Sequence, residues 1–234
     1  MNVHFGVDQL PQFRKAVITT GTFDGVHFGH QQLLHRIKRM ANEVNGESVL
    51  ITFQPHPRLV IQPYDQNLRL LSSLVEKIDL IADQGIDHVV VVPFTINFAQ
   101  MEAMEYLQNF IVQKFHPAII VLGYNHQFGH HRDGNLVLLE KHAADLGYSV
   151  SEIERQLVDD IEVSSTKIRI ALQEGNMQRA AHLLQRNYSL QGTVIKGKQL
   201  GRKLGFPTAN IQVDEPIKLI PATGVYAVKV LLND

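Results

Sequence analysis

The chain has 234 residues, of which 44% are hydrophobic and 19% charged, and its formal net charge is −1. This composition is typical of a globular protein with a sizeable core and excludes a disordered or fibrous chain. A charge so near neutrality disfavours a nucleic-acid substrate, since the broad positive field that attracts phosphate backbones is missing. The absence of Cys excludes disulfides, thiolate metal sites and cysteine nucleophiles. With no export signal and no long apolar run, we expect a cytoplasmic protein.

Short runs of branched residues alternate with stretches of helical periodicity along the first 184 residues. The runs predict five strands, at 16–20, 48–52, 88–92, 118–122 and 149–153. Apolar spacing predicts helices at 33–44, from 74 to a stop at Gly85, at 102–114 and at 135–146. Because parallel strands need right-handed crossovers, the alternation predicts an α/β fold with a Rossmann-like open parallel sheet. Ligands are then expected at the carboxyl ends of the strands.

The pattern changes after about residue 184, so we predict a domain boundary near Gln185. The following stretch is rich in Gly, Lys and turn residues, and the run GVYAVKVLL at 224–232 alternates like an antiparallel strand. A segment of about fifty residues is short for an independent core. The sequence therefore predicts a small β-rich second segment at 185–234.

The most informative segment is GTFDGVHFGH at 21–30, which lies between the first predicted strand and a helix. Gly21 and Gly25 would let the backbone approach a ligand closely, and the N–H groups at the helix start would face phosphate. His27 and His30 would add neutral or charged donors. The segment predicts an anion site. The alternative is a plain glycine turn with two surface histidines, which its position after a strand disfavours.

This segment resembles the signature of the HxGH nucleotidyltransferases, and its GTFDGVH form resembles the bacterial FAD synthetases, which combine riboflavin kinase with FMN adenylyltransferase. Four further motifs follow in the family's order and spacing: TFQPHP at 52–57, PFTINFA at 93–99, VLGYNHQFGHHRDG at 121–134 and VSSTKIR at 163–169. The resemblance covers residues 1–184. It implies transfer of AMP from ATP to FMN, giving FAD and pyrophosphate.

The resemblance implies three catalytic residues, His27, His30 and Arg169, which would stabilise charge as the α-phosphate is attacked. In-line displacement at phosphorus needs fixed donors, a metal and positioning, without a protein nucleophile. Ser164 to Thr166 read as the cap of a helix that begins near Lys167; standing alone, this would be an ordinary helix cap. Asn125 stands where the family pattern often has an aspartate. The implied ATP-binding residues are Gly21, Thr22, Phe23, Asp24, Gly25, His27, His30, Gly123, Asn125, Ser165, Thr166 and Arg169.

An isoalloxazine ring needs apolar and aromatic walls with a few fixed polar groups. The residues that the resemblance favours for flavin binding are Phe53, Pro55, His56, Pro57, Phe94, Asn97 and Phe98. Read without it, Phe94 and Phe98 belong to the core and Asn97 caps the next helix. His126, His130 and His131 lack carboxylate partners at matching spacing, so we expect solvated loop histidines and no metal site.

The C-terminal motifs GTVIKGKQLGRKLGFPTANI at 192–211 and LIPATGVYAV at 219–228 resemble the start of a riboflavin kinase domain. The resemblance implies that Thr208 and Asn210 meet ATP and magnesium, and their oxygens suit that hard cation. The family's domain continues further and carries its catalytic base there, so we expect residues 185–234 to be a truncated N-terminal part without kinase activity. The alternative is a glycine-rich hairpin without a site.

Three functional hypotheses follow: an ATP:FMN adenylyltransferase, an HxGH nucleotidyltransferase with another acceptor, and a flavin or nucleotide sensor without turnover. The kinase-like segment favours the first over the second, and the intact histidines and SSTxxR element favour it over the third. We expect ATP, FMN and riboflavin as substrates with Mg²⁺, and no nucleic-acid or membrane partner. The sequence does not determine the oligomeric state.

Overall fold

The structure, a computed structural model of the chain, describes residues 1–65, 67–124, 126–154, 157–158 and 161–232. A six-stranded sheet forms its centre, and all its strand pairs are parallel, as the sequence predicts. The strands lie in the order β1-β4-β3-β2-β5-β6. They are β1 (Asn2–Phe5), β2 (Val17–Thr20), β3 (Ser48–Gln54), β4 (His88–Pro93), β5 (Ile119–Leu122) and β6 (Ser149–Glu152).

Strand β1 is not predicted from the sequence. It is four residues long, neither of its ends is buried, and it occupies one edge of the sheet beside β4. An edge strand of this kind owes its conformation to pairing with its neighbour, since NVHF carries no long branched run. The other five strands lie where branched residues predict them. Strands β2 to β5 are largely buried, whereas β6, at the other edge of the sheet, has no buried residue.

Helices cover both faces of the sheet. They are α1 (Phe28–Glu43), α2 (Pro57–Ile61), α3 (Leu74–Ala82), α4 (Ile96–Ala99), α5 (Ala103–Glu105), α6 (Gln113–Phe115), α7 (Leu136–Leu146), α8 (Ser165–Gln173), α9 (Met177–Leu184) and α10 (Leu200–Lys203). A π-helical segment, Tyr106–Val112, joins α5 to α6. One core cluster contains Leu34 and Ile81 from α1 and α3, and a second, on the opposite face, contains Phe110 and Leu139.

Two helices begin earlier than the sequence predicts. Helix α1 begins at Phe28 because the ring of His27 acts as its cap and accepts from the His30 N–H. Helix α8 begins at Ser165 and not near Lys167, because Ser164 alone is the cap and its hydroxyl accepts from the Lys167 N–H at 3.4 Å.

A third core cluster joins α8 and α9 to the stretch before α3 and to the C-terminal part of the chain. It contains Ile168, Leu172 and Leu183 from the helices, together with Leu71 and Leu219. Two short antiparallel pairs complete the described strands: β7 (Leu157–Val158) with β8 (Ile161–Glu162), and β9 (Gly192–Ile195) with β10 (Asn210–Val213). None of the helices in the described part of the chain is long and apolar enough to cross a membrane.

The strand predicted at 224–232 is wrong. The described residues give this run no neighbouring strand, and its branched side chains are exposed, Val225 and Leu231 almost fully. Alternation of apolar and polar residues predicts which side a strand would bury, but the strand itself depends on a partner for its backbone hydrogen bonds.

Candidate active site

A cavity of about 720 Å³ opens at the carboxyl edge of the sheet. Its walls include the residues that follow the strands, among them Gly21 after β2, Phe94 after β4 and Gly123 after β5. Strand β2 lies between β3 and β5, so the chain order reverses at this point of the sheet. Open parallel sheets bind ligands at such a crevice, as the sequence predicts here.

The loop after β2 has an unusual backbone that side-chain burial holds in place. Phe23 and Val26 have positive φ values of 49° and 38°, a region that non-glycine residues seldom occupy. Both side chains are buried in the core cluster under α1. This anchoring fixes the path of the loop, because leaving the left-handed conformation would pull two apolar side chains out of the core.

Gly25 does not have the role expected of it. It has a φ of 79°, and a Cβ atom there would lie 2.8 Å from the Cβ of Leu71. Its N–H donates to the Ser72 hydroxyl at 3.0 Å, and the residue does not line the cavity. Gly25 therefore permits close packing of the loop against residues 71–72, whereas Gly21 does line the cavity.

His27 and His30 stack at the bottom of the loop, with ring centroids 3.7 Å apart and planes 15° apart. Burial lowers the pKa of His27 to about 4, and Arg169 contributes to that shift. Burial also lowers the pKa of His30 well below its ordinary value. At neutral pH both rings are uncharged N–H donors. The Nδ1 of His30 is buried and has no hydrogen-bond partner among the described residues.

Asp24 ties the site together. Its buried carboxylate accepts from the Leu71 N–H at 2.9 Å, from the Ser72 N–H at 3.1 Å and from Arg169 Nη2 at 2.5 Å. Its backbone carbonyl accepts from the hydroxyl of Ser165 at 3.0 Å. The Asp24 side chain is thus occupied within the protein, and it orients the guanidinium and the first turn of α8.

Arg169 is held by a second bond as well. Its Nε donates to the Arg69 carbonyl at 2.7 Å, so the plane of the guanidinium is fixed from two sides. Ser165, Thr166 and Arg169 all line the cavity. Hydroxyls, a cation and the N–H groups that begin a helix therefore meet on one wall, which we call the phosphate side.

An aromatic cluster lines another part of the cavity, which we call the acceptor side. Phe53, Phe94 and Phe98 pack at 5.4–5.7 Å between ring centroids, and all three line the cavity. Phe53 and Phe94 are also members of the core cluster. The two interpretations of these rings are therefore compatible, because one face of the cluster belongs to the core and another faces the cavity.

Not every predicted acceptor residue reaches the cavity. His56 and Pro57 line it, whereas Pro55 and Asn97 are exposed and do not. The alternative reading of Asn97 as a helix cap is also wrong, because Thr95 caps α4 and its hydroxyl accepts from the Phe98 N–H.

The His56 ring is fixed and uncharged at neutral pH. Its Nδ1 accepts from the Arg58 N–H at 3.2 Å, which caps α2. Burial lowers its pKa to about 4, although the nearby Asp24 carboxylate opposes the shift. A neutral imidazole on this wall can donate or accept one hydrogen bond without bringing a charge next to an aromatic ligand.

The loop after β5 contributes a residue that we expected to be solvated. His126 is half-buried and lines the cavity, and burial lowers its pKa to about 4 with a contribution from Arg132. His130 lies 3.4 Å from Glu102, and His131 is exposed. No group of three His, Cys, Asp or Glu side chains in the described ranges could hold a metal. Asn125 lies outside the described residues.

The sequence analysis did not identify three basic residues at or beside the cavity, two arginines and one buried lysine. Arg58 and Arg132 line the cavity. Arg58 directly follows Pro57 of the TFQPHP motif, and Arg132 lies within the motif at 121–134. Lys77, from α3, is buried and donates to the Thr22 carbonyl at 3.2 Å and to the Thr52 hydroxyl at 3.1 Å. Burial lowers its pKa to about 8. The sequence did carry one indication of this burial, because Lys77 lies on the same face of α3 as the apolar residues Leu74 and Ile81.

Thr208 and Asn210 do not line this cavity. Thr208 precedes β10 and Asn210 is its first residue, and each lies close to a glycine of the connection from β9. A Cβ at Gly197 would lie 2.2 Å from the Asn210 amide nitrogen, and one at Gly201 would lie 3.1 Å from the Thr208 hydroxyl. The connection therefore folds tightly around both side chains.

Comparison with known proteins agrees with this arrangement. Residues 9–167 match the FAD synthetase family and residues 184–234 match the riboflavin kinase family. The chain is 37% identical to the bifunctional riboflavin kinase/FMN adenylyltransferase of Listeria monocytogenes, over 93% of this chain and 68% of that protein. It is 33% identical to the Escherichia coli K12 protein of the same name, over 96% of this chain and 71% of that protein.

A crystal structure of a macrolide-efflux protein from Streptococcus pneumoniae has a similar fold, with a TM-score of 0.85 and 25% identity. The similarity covers 97% of this chain and 73% of that one. The two family matches and the identity to the curated relatives extend across the sheet, the cavity and the C-terminal segment. The chain belongs to the bifunctional riboflavin kinase/FMN adenylyltransferase family.

Proposed function

We propose that the cavity binds ATP and FMN together and transfers the adenylyl group of ATP to FMN, giving FAD and pyrophosphate. One observation carries the proposal. A single cavity is lined both by a set of donors, namely His27, His30, Arg169 and the start of α8, and by an aromatic cluster. The first suits a triphosphate and the second a flavin ring.

The chemistry requires charge stabilisation and alignment. An oxygen of the FMN phosphate attacks the α-phosphorus of ATP, a P–O bond forms, and the bond from the α-phosphorus to the bridging oxygen of pyrophosphate breaks. Arg169 and the N–H groups of α8 would stabilise negative charge on the departing pyrophosphate. His27 and His30 would donate hydrogen bonds as neutral imidazoles. No proton has to be moved by the protein, because the attacking phosphate oxygen is already anionic.

We place the triphosphate on the phosphate side and the isoalloxazine ring on the acceptor side. Ser165 and Thr166 would hold the outer phosphates from the first turn of α8, and Phe98 with its aromatic neighbours would pack against the ring. Magnesium bound with ATP would neutralise phosphate charge. Few protein ligands would be needed, because magnesium ordinarily keeps several of its waters when it binds with a nucleotide.

We further propose that residues 184–234 contribute to a riboflavin kinase site. The supporting observation is the tight glycine-rich connection, in which Gly201 lies against the Thr208 side chain and Gly197 against the Asn210 side chain. These oxygen donors suit magnesium and the phosphates of ATP, and both residues are exposed.

The test is to incubate the chain with ATP, Mg²⁺ and FMN, separate the flavins by chromatography and assay pyrophosphate. We expect FAD and pyrophosphate in equal amounts. His27→Ala should lower the rate by about 100-fold or more, whereas His35→Ala, at an exposed position of α1, should leave it unchanged. A folded chain that binds ATP but makes no FAD would overturn the proposal. Product from CTP, or from nicotinate mononucleotide in place of FMN, would point to another member of the HxGH enzymes.

A further inference from the structure

The stretch 214–222, which we call the docking segment, packs against the site from the C-terminal part of the chain. It lies within the residues that match the riboflavin kinase family. The Leu70 N–H donates to the Ile217 carbonyl and the Leu219 N–H donates to the Leu70 carbonyl, both at 2.8 Å. Leu219 is buried in the core cluster of α8 and α9. The docking segment therefore runs directly beside the stretch 69–72.

Lys218 is the charged centre of this contact, and its side chain is only 2% exposed. Its ammonium donates to the Leu71 carbonyl at 2.8 Å and to the Glu76 carboxylate at 2.6 Å. It also lies 4.7 Å from the centroid of the Tyr188 ring, whose hydroxyl donates to the Leu219 carbonyl at 2.7 Å.

The stretch 69–72 connects Lys218 to the phosphate side. The carbonyl of Leu71 accepts from Lys218, while the N–H of the same residue donates to the Asp24 carboxylate. That carboxylate in turn holds Arg169. Leu71 is thus bonded on one side by the C-terminal part of the chain and on the other by the residue that orients the guanidinium.

A second contact reaches the same loop. Nη2 of Arg186, two residues after the end of α9, donates to the Gly25 carbonyl at 2.6 Å. Gly25 in turn packs against Leu71 and donates to Ser72. Residues beyond 184 therefore bond to the loop after β2, through Arg186, and to the stretch 69–72, through Lys218.

Stability alone does not explain a charge at this position. A buried ion pair gains little over apolar side chains of similar volume, because the desolvation of both ions offsets their attraction. Glu76 also has another partner, since its carboxylate accepts from the Ser73 N–H at 2.7 Å in the capping box of α3. What the ammonium adds is a directed bond to the Leu71 carbonyl.

We propose that Lys218 is a positioning residue for adenylyl transfer, which holds the stretch 69–72 so that Asp24 orients Arg169 toward the triphosphate. This inference rests on the proposed function of the cavity. It assigns to the part of the chain that matches the riboflavin kinase family a role in the ATP site of the other part. The unit that performs adenylyl transfer then includes the docking segment, beyond the boundary predicted at Gln185.

The test compares Lys218→Met with Lys229→Met, a matched substitution at an exposed lysine that lies beyond the docking segment. The Kd for ATP is measured by titration calorimetry, and KM for ATP and for FMN by FAD formation. In Lys218→Met we expect Kd and KM for ATP to rise by about tenfold, the effect of weakening one charge-assisted hydrogen bond. KM for FMN should stay within about twofold, because among the described residues no hydrogen bond joins the aromatic cluster to Leu71 or Ser72. Lys229→Met should match the parent chain.

A folded Lys218→Met chain with an unchanged Kd for ATP would overturn the inference. So would a parallel rise in both KM values, since general loosening of the site weakens both substrates. If Lys218→Met does not fold, Lys218→Gln replaces it under the same criteria. If the parent chain makes no FAD, the proposed function fails, while the Kd for ATP still decides the role of Lys218.

Discussion

The two walls of the cavity are built in different ways. On the phosphate side Arg169 and Ser165 are fixed by directed hydrogen bonds, and the Asp24 carboxylate alone accepts from Leu71, Ser72 and Arg169. On the acceptor side the rings of Phe53, Phe94 and Phe98 are fixed by packing against one another and the core. A hydrogen-bonded group tolerates little change in residue type, because a new side chain leaves its partners unpaired. A side chain held by packing tolerates substitutions that preserve its volume. Substitutions on the two sides should therefore differ in size and in the substrate affected.

Among the substitutions that compare the two sides of the cavity, Asp24→Asn should have the largest effect. The amide keeps the shape of the side chain but loses the charge that holds Arg169, so kcat/KM for ATP should fall by about 100-fold, the equivalent of a charged hydrogen bond. Steady-state FAD formation measures this change, with Asp79→Asn at an exposed position of α3 as control. A value for Asp24→Asn close to that of the control would mean that the carboxylate does not organise the phosphate side.

Gly25→Ala should destabilise the fold more than Gly147→Ala. Both glycines have φ values near 75–79°, but an added Cβ meets Leu71 at position 25 and open space at position 147. The cost of placing alanine at a positive φ is common to both variants and cancels in the comparison. The remaining difference in the free energy of unfolding, about 2 kcal/mol, then measures the clash of the new Cβ with Leu71. Urea denaturation of both variants measures it. Equal losses would show that the loop and the stretch 69–72 are not tightly packed.

Acid should destabilise the protein through its buried neutral histidines. The pKa of His27 is about 4 in the folded chain against 6.5 for an ordinary histidine. Between these values the unfolded chain binds more protons, so the free energy of unfolding falls as pH falls from 6.5 toward 4. Each such histidine contributes a slope of about 1.4 kcal/mol per pH unit.

His27→Asn should lower the pH dependence of the free energy of unfolding by the contribution of one histidine. The amide can still accept from the His30 N–H, but it does not titrate. Urea denaturation at several pH values between 4 and 7 measures the slope. The exposed His35→Asn variant is the control. An unchanged slope in His27→Asn would contradict the neutral state of the buried ring.

Phe98→Leu should have the smallest effect, confined to the acceptor. Leucine keeps much of the buried volume but loses the ring face, so KM for FMN should rise by about three- to tenfold, which corresponds to one aromatic contact. KM for ATP should not change. Phe5→Leu, at an exposed residue of β1, is the control. A rise in KM for ATP instead would break the division of the cavity into two sides.

Short sequence motifs are sufficient to predict which residues come together on the phosphate side. The spacing of His27 and His30, and of Ser165 and Arg169, follows from local geometry at the starts of α1 and α8, so these residues meet as predicted. The packing role of Gly25 could not be predicted, because it depends on Leu71, which is distant in sequence. Lys77 was missed for the same reason, since its acceptors lie on other elements.

The acceptor side is harder to predict because an aromatic side chain in a core and one against a ligand obey the same pattern. The sequence indicated aromatic residues near the ends of β3 and β4, but not that Pro55 and Asn97 would face away from the cavity. The strand expected at 224–232 failed because alternation does not specify a pairing partner. Contacts between distant segments, such as Lys218 with Leu71, leave no local signal at all.

The most direct measurement follows a radiolabel placed on the α-phosphorus of ATP while the chain acts on FMN. Adenylyl transfer predicts that the label appears in FAD in an amount equal to the pyrophosphate released, and that a label on the γ-phosphorus appears only in pyrophosphate. A flavin that gains the γ-label and not the α-label, or ATP that is cleaved without labelled FAD, would contradict adenylyl transfer at this cavity.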